Sequence, residues 1–461
     1  MADIEQTFQS VEAPGAYFSQ DFSLETLNLL TSSGQKMELR RMVVEMSYYE
    51  DIYTFSISGY VTIRDSQGFI ERLQLSGNEY LEIDFGKVKN GPNSDISTYR
   101  VYKIGNRAPE GNLNSEYYTL YFCSEELVLS EQIKISKSYS GQKISNIVKS
   151  VLTEKLKVDK KKIFEIEETS GLYDFVIPRM KPFEAISFIT LYARPEFTGA
   201  VGADMLFFET KNGFNYRSLQ SMFSENAYGT YKYQQSNIDD KTQPFQEKSI
   251  SVLNYEFVKT YDAVNDITSG TYANRLISLD PISRTAKVTN FDYLNYEKNS
   301  VKLNKGPVMV PLKNRLGLAQ NETFDASLKL ATSNSSQKNE PYIKQAPGAI
   351  AKDIAIENYV PMRTAQLALA NYTVLKIAIP GDPGITAGRT VNFNLMTIKP
   401  TDNSRDLDKF YSGKYLVTAV RHVMQSEGVY QTILEIAKES VPNYLGAINN
   451  SNPEWKEVVT E

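Results

Sequence analysis

The sequence predicts a mainly β protein in which a mixed α+β unit lies between two antiparallel β units. Apolar and polar side chains alternate over residues 55–64, as in a half-buried strand. Over residues 144–152 the apolar side chains recur at helical spacing instead. Alternation returns over residues 249–261. A chain of 461 residues exceeds the size at which one core usually stops growing, so several domains are expected.

The first β unit is predicted over residues 24–126. Loops rich in Gly, Asn, Pro and Ser separate its five predicted strands. These strands lie near 37–46, 55–64, 79–85, 98–105 and 116–123. Residues 69–75 follow a turn and are expected across an open end of the sheet. Residues 1–23 are expected to form an N-terminal arm, because Pro14 and Gly15 interrupt regular structure.

The middle unit, predicted over residues 127–244, combines helices and strands. An amphipathic helix is predicted over 141–156, with Ser140 as its N-cap. A second helix is predicted to begin at Pro182, because proline suits the first turn of a helix. The Asn-Gly pair at 212–213 predicts a tight hairpin. The core-facing residues of the second helix are expected to be Phe183, Ile186 and Ile189.

The second β unit is predicted in two pieces, residues 245–299 and 358–438. The stretch between them, 300–357, is polar, low in aromatics and interrupted by prolines, which predicts an insertion or an extended arm. Four strands are predicted to complete the unit, near 373–379, 390–395, 413–422 and 430–436. Residues 439–461 are predicted to form a C-terminal tail.

The composition is that of a soluble globular protein, with 41% hydrophobic and 23% charged residues. The formal net charge of −5 argues against a generally basic, nucleic-acid-binding surface. The acidic and polar N-terminus has no apolar signal region, and no apolar run has the length of a transmembrane helix. We therefore expect a chain that folds in a cytosol without a membrane anchor of its own.

The inventory of catalytic and metal-binding groups is small. The chain has one histidine and one cysteine, so a site with two His ligands would need a second chain. A Ser-His-Asp site would have to be centred on His422, which is predicted to be a strand residue bonded to a neighbour. Cys123 is predicted to be a small buried or half-buried strand residue. No glycine-rich phosphate loop occurs, and we predict no catalytic residue, cofactor or metal.

Carboxylates are abundant enough to leave one enzymatic interpretation open. A glycosidase pair such as Glu50 with Asp51, or Glu125 with Glu126, is compatible with the sequence. The favoured interpretation is that these are exposed loop acids, since acidic side chains are seldom buried. The lysine run at 155–162 precedes a cluster of glutamates and is predicted to be a solvated, self-neutralising turn.

Two motifs carry a resemblance to a known family. The first, within residues 48–85, is YYEDIYTFSISGYVTIRDS followed by GFIERLQLSGNEYLEIDF. The second, within residues 379–436, is IPGDPGITAGRTVNF followed by YSGKYLVTAVRHVM and GVYQTILEI. Both are similar to the β-barrels of the baseplate hub proteins of contractile-tailed bacteriophages, the trimeric adaptors between tail tube and central spike. The resemblance implies two small antiparallel, tail-tube-like β-barrels flanking the mixed α+β domain.

The same resemblance implies a structural, non-enzymatic role in the virion, at the tail baseplate, after assembly in the host cytoplasm. Three subunits with two barrels each would offer a sixfold tube six docking positions above a threefold spike. The implied partners are two further copies of the chain, the tail tube protein, the central spike protein and the baseplate wedge proteins. DNA would pass through the channel without sequence-specific binding.

The resemblance also nominates interface residues. In the family, the loop that carries Glu50 and Asp51 precedes the outer strand of the first barrel and lies near a subunit boundary. The candidate interface residues are Tyr48, Tyr49, Glu50, Asp51 and Tyr53.

Two alternatives remain open at this point. The first is the equivalent hub of a phage-derived injection or secretion machine. Capsid and terminase genes next to the gene for this chain would favour the phage over such a machine. The second is a cell-wall glycan hydrolase associated with the tail. The hydrolase predicts clearing of peptidoglycan that is lost when one glutamate is replaced.

Overall fold

The computed structural model describes residues 23–73, 75–86, 96–111, 114–196, 202–233, 251–280, 284–307, 328–332, 360–397, 407–426 and 429–442. The arm predicted at 1–23 and the tail predicted at 439–461 lie mostly outside these residues. Most of the insertion predicted at 300–357 also lies outside them.

The first β unit is built from antiparallel strands. These are β1 (Ser23–Leu30), β2 (Lys36–Glu38), β3 (Val43–Asp51), β4 (Ser58–Asp65), β5 (Tyr80–Gly86), β6 (Ser97–Pro109) and β7 (Glu116–Cys123). They pair in the order β3-β4-β7-β6-β5-β1-β2. A short helix, Phe69–Leu73, follows β4, and the carboxylate of Asp65 accepts the backbone N–H groups of Gln67, Gly68 and Phe69 at its start.

The predicted strand at 37–46 is wrong in its bounds. A 3-10 turn, Arg40–Met42, interrupts it, so that β3 begins at Val43 and runs on to Asp51. The strand predicted at 55–64 begins at Ser58. Its predicted alternation is confirmed, because the side chains of Ile57, Val61 and Ile63 are all buried. The extension of β3 to Asp51 turns the predicted acidic loop into part of a strand.

The middle unit combines small sheets with helices. Its strands are β8 (Ile135–Gln142), β9 (Ile163–Ile166), β10 (Thr169–Ser170), β11 (Tyr173–Met180), β12 (Arg194–Pro195), β13 (Met205–Thr210) and β14 (Gly213–Ser218). Its helical segments are Glu125–Gln132, Ile144–Ser150, a π-helical continuation at Val151–Lys155, a 3-10 turn at Lys160–Lys162, Pro182–Thr190 and Leu219–Ser224. The antiparallel pairing of β13 with β14 confirms the predicted Asn-Gly hairpin.

The two predicted helices of the middle unit are present, one of them with a different start. The helix that begins at Pro182 is confirmed, and its predicted core residues are buried. The other helix begins at Ile144, because the preceding strand continues to Gln142. Ser140 is therefore a strand residue, and its hydroxyl donates to Asp174 Oδ1 at 2.9 Å instead of capping the helix.

The second β unit follows. Its described strands are β15 (Thr230–Tyr233), β16 (Asn254–Lys259), β17 (Ala273–Asp280), β18 (Thr285–Asp292), β19 (Gly306–Pro307), β20 (Leu328–Thr332), β21 (Thr373–Pro380), β22 (Thr390–Leu395), β23 (Gly413–Gln425), β24 (Tyr430–Lys438) and β25 (Ser440–Val441). Helices span Ala263–Thr268, Tyr293–Glu297 and Val360–Ala370. Strands β17, β18 and β20 form a separate sheet, and β19 pairs with β25.

One sheet runs through both β units. It contains 13 strands, in the order β16-β21-β24-β23-β3-β4-β7-β6-β5-β1-β2, with β15 and β22 attached beside β23. The cores interlock at the junction, because Met424 and Tyr430 from the second unit pack in the core of the first. In return, Ile52 packs in the core of the second unit. The predicted class, mainly β with a mixed α+β part, is confirmed.

No helix among the described residues is both long enough and apolar enough to cross a membrane.

Candidate functional site

The candidate site is the joint where β3 of the first unit pairs with β23 of the second. The register runs from Ala419 opposite Asp51 to Gln425 opposite Glu45. Residues directly opposite each other in an antiparallel pair share one face of the sheet. Tyr48 and His422 therefore face the interior together, whereas Tyr49 and Arg421 face outward.

The inner face of the joint is an aromatic cluster. The hydroxyls of Tyr48 and Tyr99 share a hydrogen bond of 2.9 Å, and the Tyr48 ring lies 5.3 Å from that of Phe85. His422 Nδ1 and Tyr430 Oη share a second hydrogen bond of 2.9 Å. Burial lowers the pKa of His422 to about 3, so its imidazole is neutral at pH 7. The prediction of a buried, neighbour-bonded strand histidine is confirmed.

Cys123, like His422, is a buried residue of the sheet. It is the last residue of β7, it is buried, and burial raises the pKa of its thiol to about 11. A thiol that stays protonated at neutral pH is a poor nucleophile. The prediction of a buried strand cysteine is confirmed.

Glu50 holds three parts of the chain together. Its side chain is 1% exposed, and Oε1 accepts the backbone N–H of Lys211, in the middle unit, at 2.7 Å. Its Oε2 accepts the backbone N–H of Ala387, in the second unit, at 2.9 Å. Burial raises the pKa of Glu50 to about 7, although both N–H donors favour the ionised form. We call this arrangement the Glu50 clamp.

The prediction that Glu50 is an exposed loop acid is wrong. Because β3 continues to Asp51, the alternation of the strand turns Glu50 inward and Asp51 outward. Asp51 Oδ1 accepts the N–H of Tyr53 at 2.7 Å. Two adjacent acids on opposite faces of a strand do not converge on one substrate bond, as a glycosidase pair must.

The second acidic pair has structural partners too. Glu125 Oε1 accepts the hydroxyl of Tyr80 at 2.7 Å. Glu126 is buried at the edge of the middle unit and pairs with Lys162 Nζ at 2.6 Å. Lys162 also pairs with the buried Glu209 at 2.9 Å, which corrects the prediction that the whole lysine run is a solvated turn.

The outward face of the joint carries a polar network around Arg421. Its guanidinium donates to Ser47 Oγ at 3.1 Å and to Tyr60 Oη at 3.2 Å, and it lies 5.5 Å from the centre of the Tyr49 ring. Glu45 accepts the Tyr60 hydroxyl at 2.5 Å and lies 3.6 Å from Arg421. We call this surface the outer joint face.

An open groove of about 610 Å³ lies beside the outer joint face. It crosses six neighbouring strands of the sheet, from β16 to β4. Its charged lining residues, besides the buried Glu50, are Asp51, Glu256, Glu435, Lys376 and Arg421. The mixture of signs does not provide the continuous basic track that grips a nucleic-acid backbone.

The candidate interface residues do not share one environment. Tyr48 and Glu50 are enclosed by this chain, Tyr49 and Asp51 are half-buried, and Tyr53 is 40% exposed. All five lie at the junction of the two β units, and a contact of Tyr49, Asp51 or Tyr53 with another subunit stays a prediction. Sequence analysis missed their partners, which are Lys211, Ala387, Arg421 and Tyr430. These partners are distant in sequence; Ala387, Arg421 and Tyr430 lie within the second motif, but nothing in either motif indicates which of their residues meet.

The part of the chain that the structure describes contains no group of three or more His, Cys, Asp or Glu residues that could hold a metal ion.

The chain is similar to known proteins in structure, while no match to it was found by sequence. No protein-family model matches the sequence. No curated protein matches it either. Among solved structures, a tail protein from Neisseria meningitidis MC58 matches with a TM-score of 0.51 at 10% sequence identity. The match covers 91% of this chain and 97% of that one. The chain shares the fold of that tail protein.

Two further solved structures match with lower TM-scores. A 43 kDa tail protein of prophage MuSo2 from Shewanella oneidensis has a TM-score of 0.48 at 7% identity, over 90% of this chain and 98% of that one. A Francisella PdpA–VgrG complex has a TM-score of 0.42 at 11% identity, over 99% of this chain and 64% of that one. The match to the Neisseria tail protein confirms, at the level of the fold, the resemblance based on the two sequence motifs.

Proposed function

We propose that the chain is the structural hub of a contractile phage tail baseplate, a homotrimer that adapts the sixfold tail tube to the threefold central spike. The observation that carries this proposal is the sheet that runs through both β units of one chain. The tail-protein fold, matched over most of the chain, supports the same role.

The joint supplies the rigidity that such an adaptor needs. Two docking units that moved independently would present six poorly aligned positions to the tube. In this chain the β3–β23 pairing, the interlocked cores and the Glu50 clamp connect the two units directly. Three copies would therefore present six positions with a constant angle within each pair.

The surface chemistry fits a channel through which DNA passes. The groove beside the outer joint face has both acidic and basic residues, and the whole chain carries a formal net charge of −5. Such a surface does not hold the phosphate backbone strongly. We infer that DNA moves past this protein without sequence-specific binding.

The role is proposed to be non-enzymatic. The acids considered for glycan hydrolysis are used within the fold: Glu50 by two backbone N–H groups, Glu125 by Tyr80 and Glu126 by Lys162. The proposed partners are the tail tube, the central spike and the baseplate wedge proteins, with the protein located in the baseplate of the virion.

Mass measurement of the purified chain, alone and with its spike protein, tests the proposal. We expect three copies of the chain for each trimeric spike, and threefold density at the tip of a sixfold tube in images of the particle. A strictly monomeric chain that binds one spike copy would contradict the proposal. The same threefold count in a particle without a capsid would assign the hub to a phage-derived injection machine.

A further inference from the structure

A small cavity of about 30 Å³ lies where the middle unit meets the second β unit. Asp204 and Gln220 line it from the middle unit, and Gln366 lines it from the helix Val360–Ala370. Further polar residues of its wall are Tyr296, Ser300, Lys302 and Glu439. The cavity is separate from the joint and from the groove described above.

Two buried carboxylates line this cavity, and each has one oxygen without a hydrogen-bond partner in the described part of the chain. Asp204 is fully buried, and its Oδ2 accepts the backbone N–H of Gln220 at 3.0 Å. Glu439 is 8% exposed, and its Oε1 accepts the backbone N–H of Leu303 at 2.6 Å. Asp204 Oδ1 and Glu439 Oε2 are buried and have no hydrogen-bond partner among the described residues. Each carboxylate is thus held in place by one oxygen, which leaves the other free to bind a ligand.

The two free oxygens belong to one electrostatic environment. Burial raises the pKa of the Tyr296 hydroxyl, and the charges of both Asp204 and Glu439 raise it further. The same hydroxyl hydrogen-bonds to the side chains of Gln366 and Ser300. Both carboxylates therefore act on one hydroxyl group, among neutral oxygen donors.

The nearby basic side chains do not neutralise these acids directly. No Lys or Arg in the described part of the chain lies within ion-pair distance of either carboxylate. The charge of Arg363 acts on Asp204, and its Nη1 donates to the backbone carbonyl of Ala203 at 2.5 Å. Lys302, which lines the cavity, interacts electrostatically with Glu439 without forming an ion pair with it, as do Lys414 and Lys438. An unpaired buried carboxylate is costly, so a cation between the two free oxygens would relieve that cost.

The chemistry of the donors selects the class of cation. Carboxylate, amide and hydroxyl oxygens are the ligands of hard divalent cations. A cavity of this volume has room for one ion or for one or two water molecules. Donors from several separate segments suit the flexible coordination of Ca²⁺ better than the strict octahedron of Mg²⁺.

We propose that this cavity binds one hard divalent cation, Ca²⁺ in preference to Mg²⁺, through the free oxygens of Asp204 and Glu439. The bound ion would connect the middle unit to the last strands of the second β unit. It would stabilise the folded protein by an amount that rises with the logarithm of the ion concentration once this exceeds the dissociation constant. This inference does not depend on the proposed role as a hub.

The test uses the full-length protein after removal of metals with a chelator. Tb³⁺ is added as a probe, with excitation of tyrosine, because Tyr296 and Tyr293 line the cavity and lie within energy-transfer range of an ion there. We expect luminescence that saturates at one Tb³⁺ per chain and that Ca²⁺ displaces. Added Ca²⁺ should also raise the midpoint of thermal unfolding, and Mg²⁺ should raise it less.

Single-residue variants test whether the cation binds in this cavity. Asp204→Asn and Glu439→Gln should each weaken Ca²⁺ binding by roughly tenfold or more, since each removes a charged ligand. The control is Glu256→Gln, an exposed acid in the groove, which should bind Ca²⁺ as the wild type does. Wild-type protein without Ca²⁺-displaceable luminescence, or unchanged binding in both cavity variants, would overturn the proposal. The wild-type measurement decides the matter even if a variant does not fold.

Discussion

The side chain of Glu50 is buried, and its two carboxylate oxygens join β3 to the backbone of Lys211 and of Ala387. Removing the carboxylate from water is unfavourable, and the two backbone N–H donors offset only part of this cost. The same carboxylate accepts hydrogen bonds from two backbone N–H groups that would otherwise have no partner. Glu50 therefore stabilises the junction of the units, but this contribution to the free energy of unfolding decreases when the carboxyl group ionises.

Glu50→Gln should remove this pH dependence. Since the folded pKa is about 7 against an ordinary value of 4.5, the folded protein retains a proton that the unfolded chain has released. The free energy of unfolding therefore decreases as pH rises through this window. We expect the difference between wild type and Glu50→Gln to decrease by about 3 kcal/mol between pH 4.5 and 7, by urea denaturation. Glu256→Gln is the control, and a difference that grows with pH would contradict this account.

Lys162 gives a second prediction for a single residue. Its ammonium is the charge partner of Glu209, whose side chain is fully buried. Lys162→Met keeps the apolar stem but leaves that carboxylate without its cation. We expect a loss of about 3 kcal/mol in the free energy of unfolding. Lys149→Met, which breaks an exposed pair with Glu168, should cost less than about 1 kcal/mol; equal losses would show that the Lys162 pair is not special.

Strand β4 illustrates how one element depends on close packing. Gly59 lies opposite Tyr48, and a Cβ atom there would collide with the Phe122 ring and with the backbone oxygen of Ser47. The backbone oxygen cannot move without breaking the pairing of β3. Only glycine lets β3, β4 and the first core approach this closely.

Gly59→Ala should therefore destabilise the protein by about 2–3 kcal/mol, through overpacking of a site that includes main-chain atoms. Thermal or urea unfolding measures this loss. Gly229→Ala is the matched control, because a Cβ there would meet nothing nearer than 3.9 Å. A neutral Gly59→Ala variant would mean that β4 shifts freely against its neighbours.

The whole molecule is expected to respond as one body, because its large sheet crosses both β units. Strain introduced at Gly59 reaches Ser47 on β3, and Ser47 is paired with Val423 on β23. We expect Gly59→Ala to accelerate amide hydrogen exchange in β3, β4 and β23. The helix Ile144–Ser150, in the separate core of the middle unit, should change less. Acceleration confined to the first unit would show that the joint does not couple the two units.

The local sequence predicts those elements whose structure is determined by a few neighbouring residues. The alternation around Val61, the helix that begins at Pro182 and the Asn-Gly hairpin were all predictable, because each follows from side-chain period or turn chemistry over a few residues. Errors occurred at boundaries: the strand before Ile144 continues to Gln142, and β3 continues to Asp51. Those ends are set by pairing with distant strands.

The junction of the two β units depends on contacts that no short segment contains. The motif at residues 48–85 resembles a known β-barrel, and the local sequence predicts that Glu50 lies in an exposed loop. Folding brings Lys211 and Ala387 to that carboxylate and places His422 beside Tyr48. The local sequence by itself determines where most strands form. Whether a charged side chain is buried depends on which strands and units pack around it, so only the tertiary structure determines its environment.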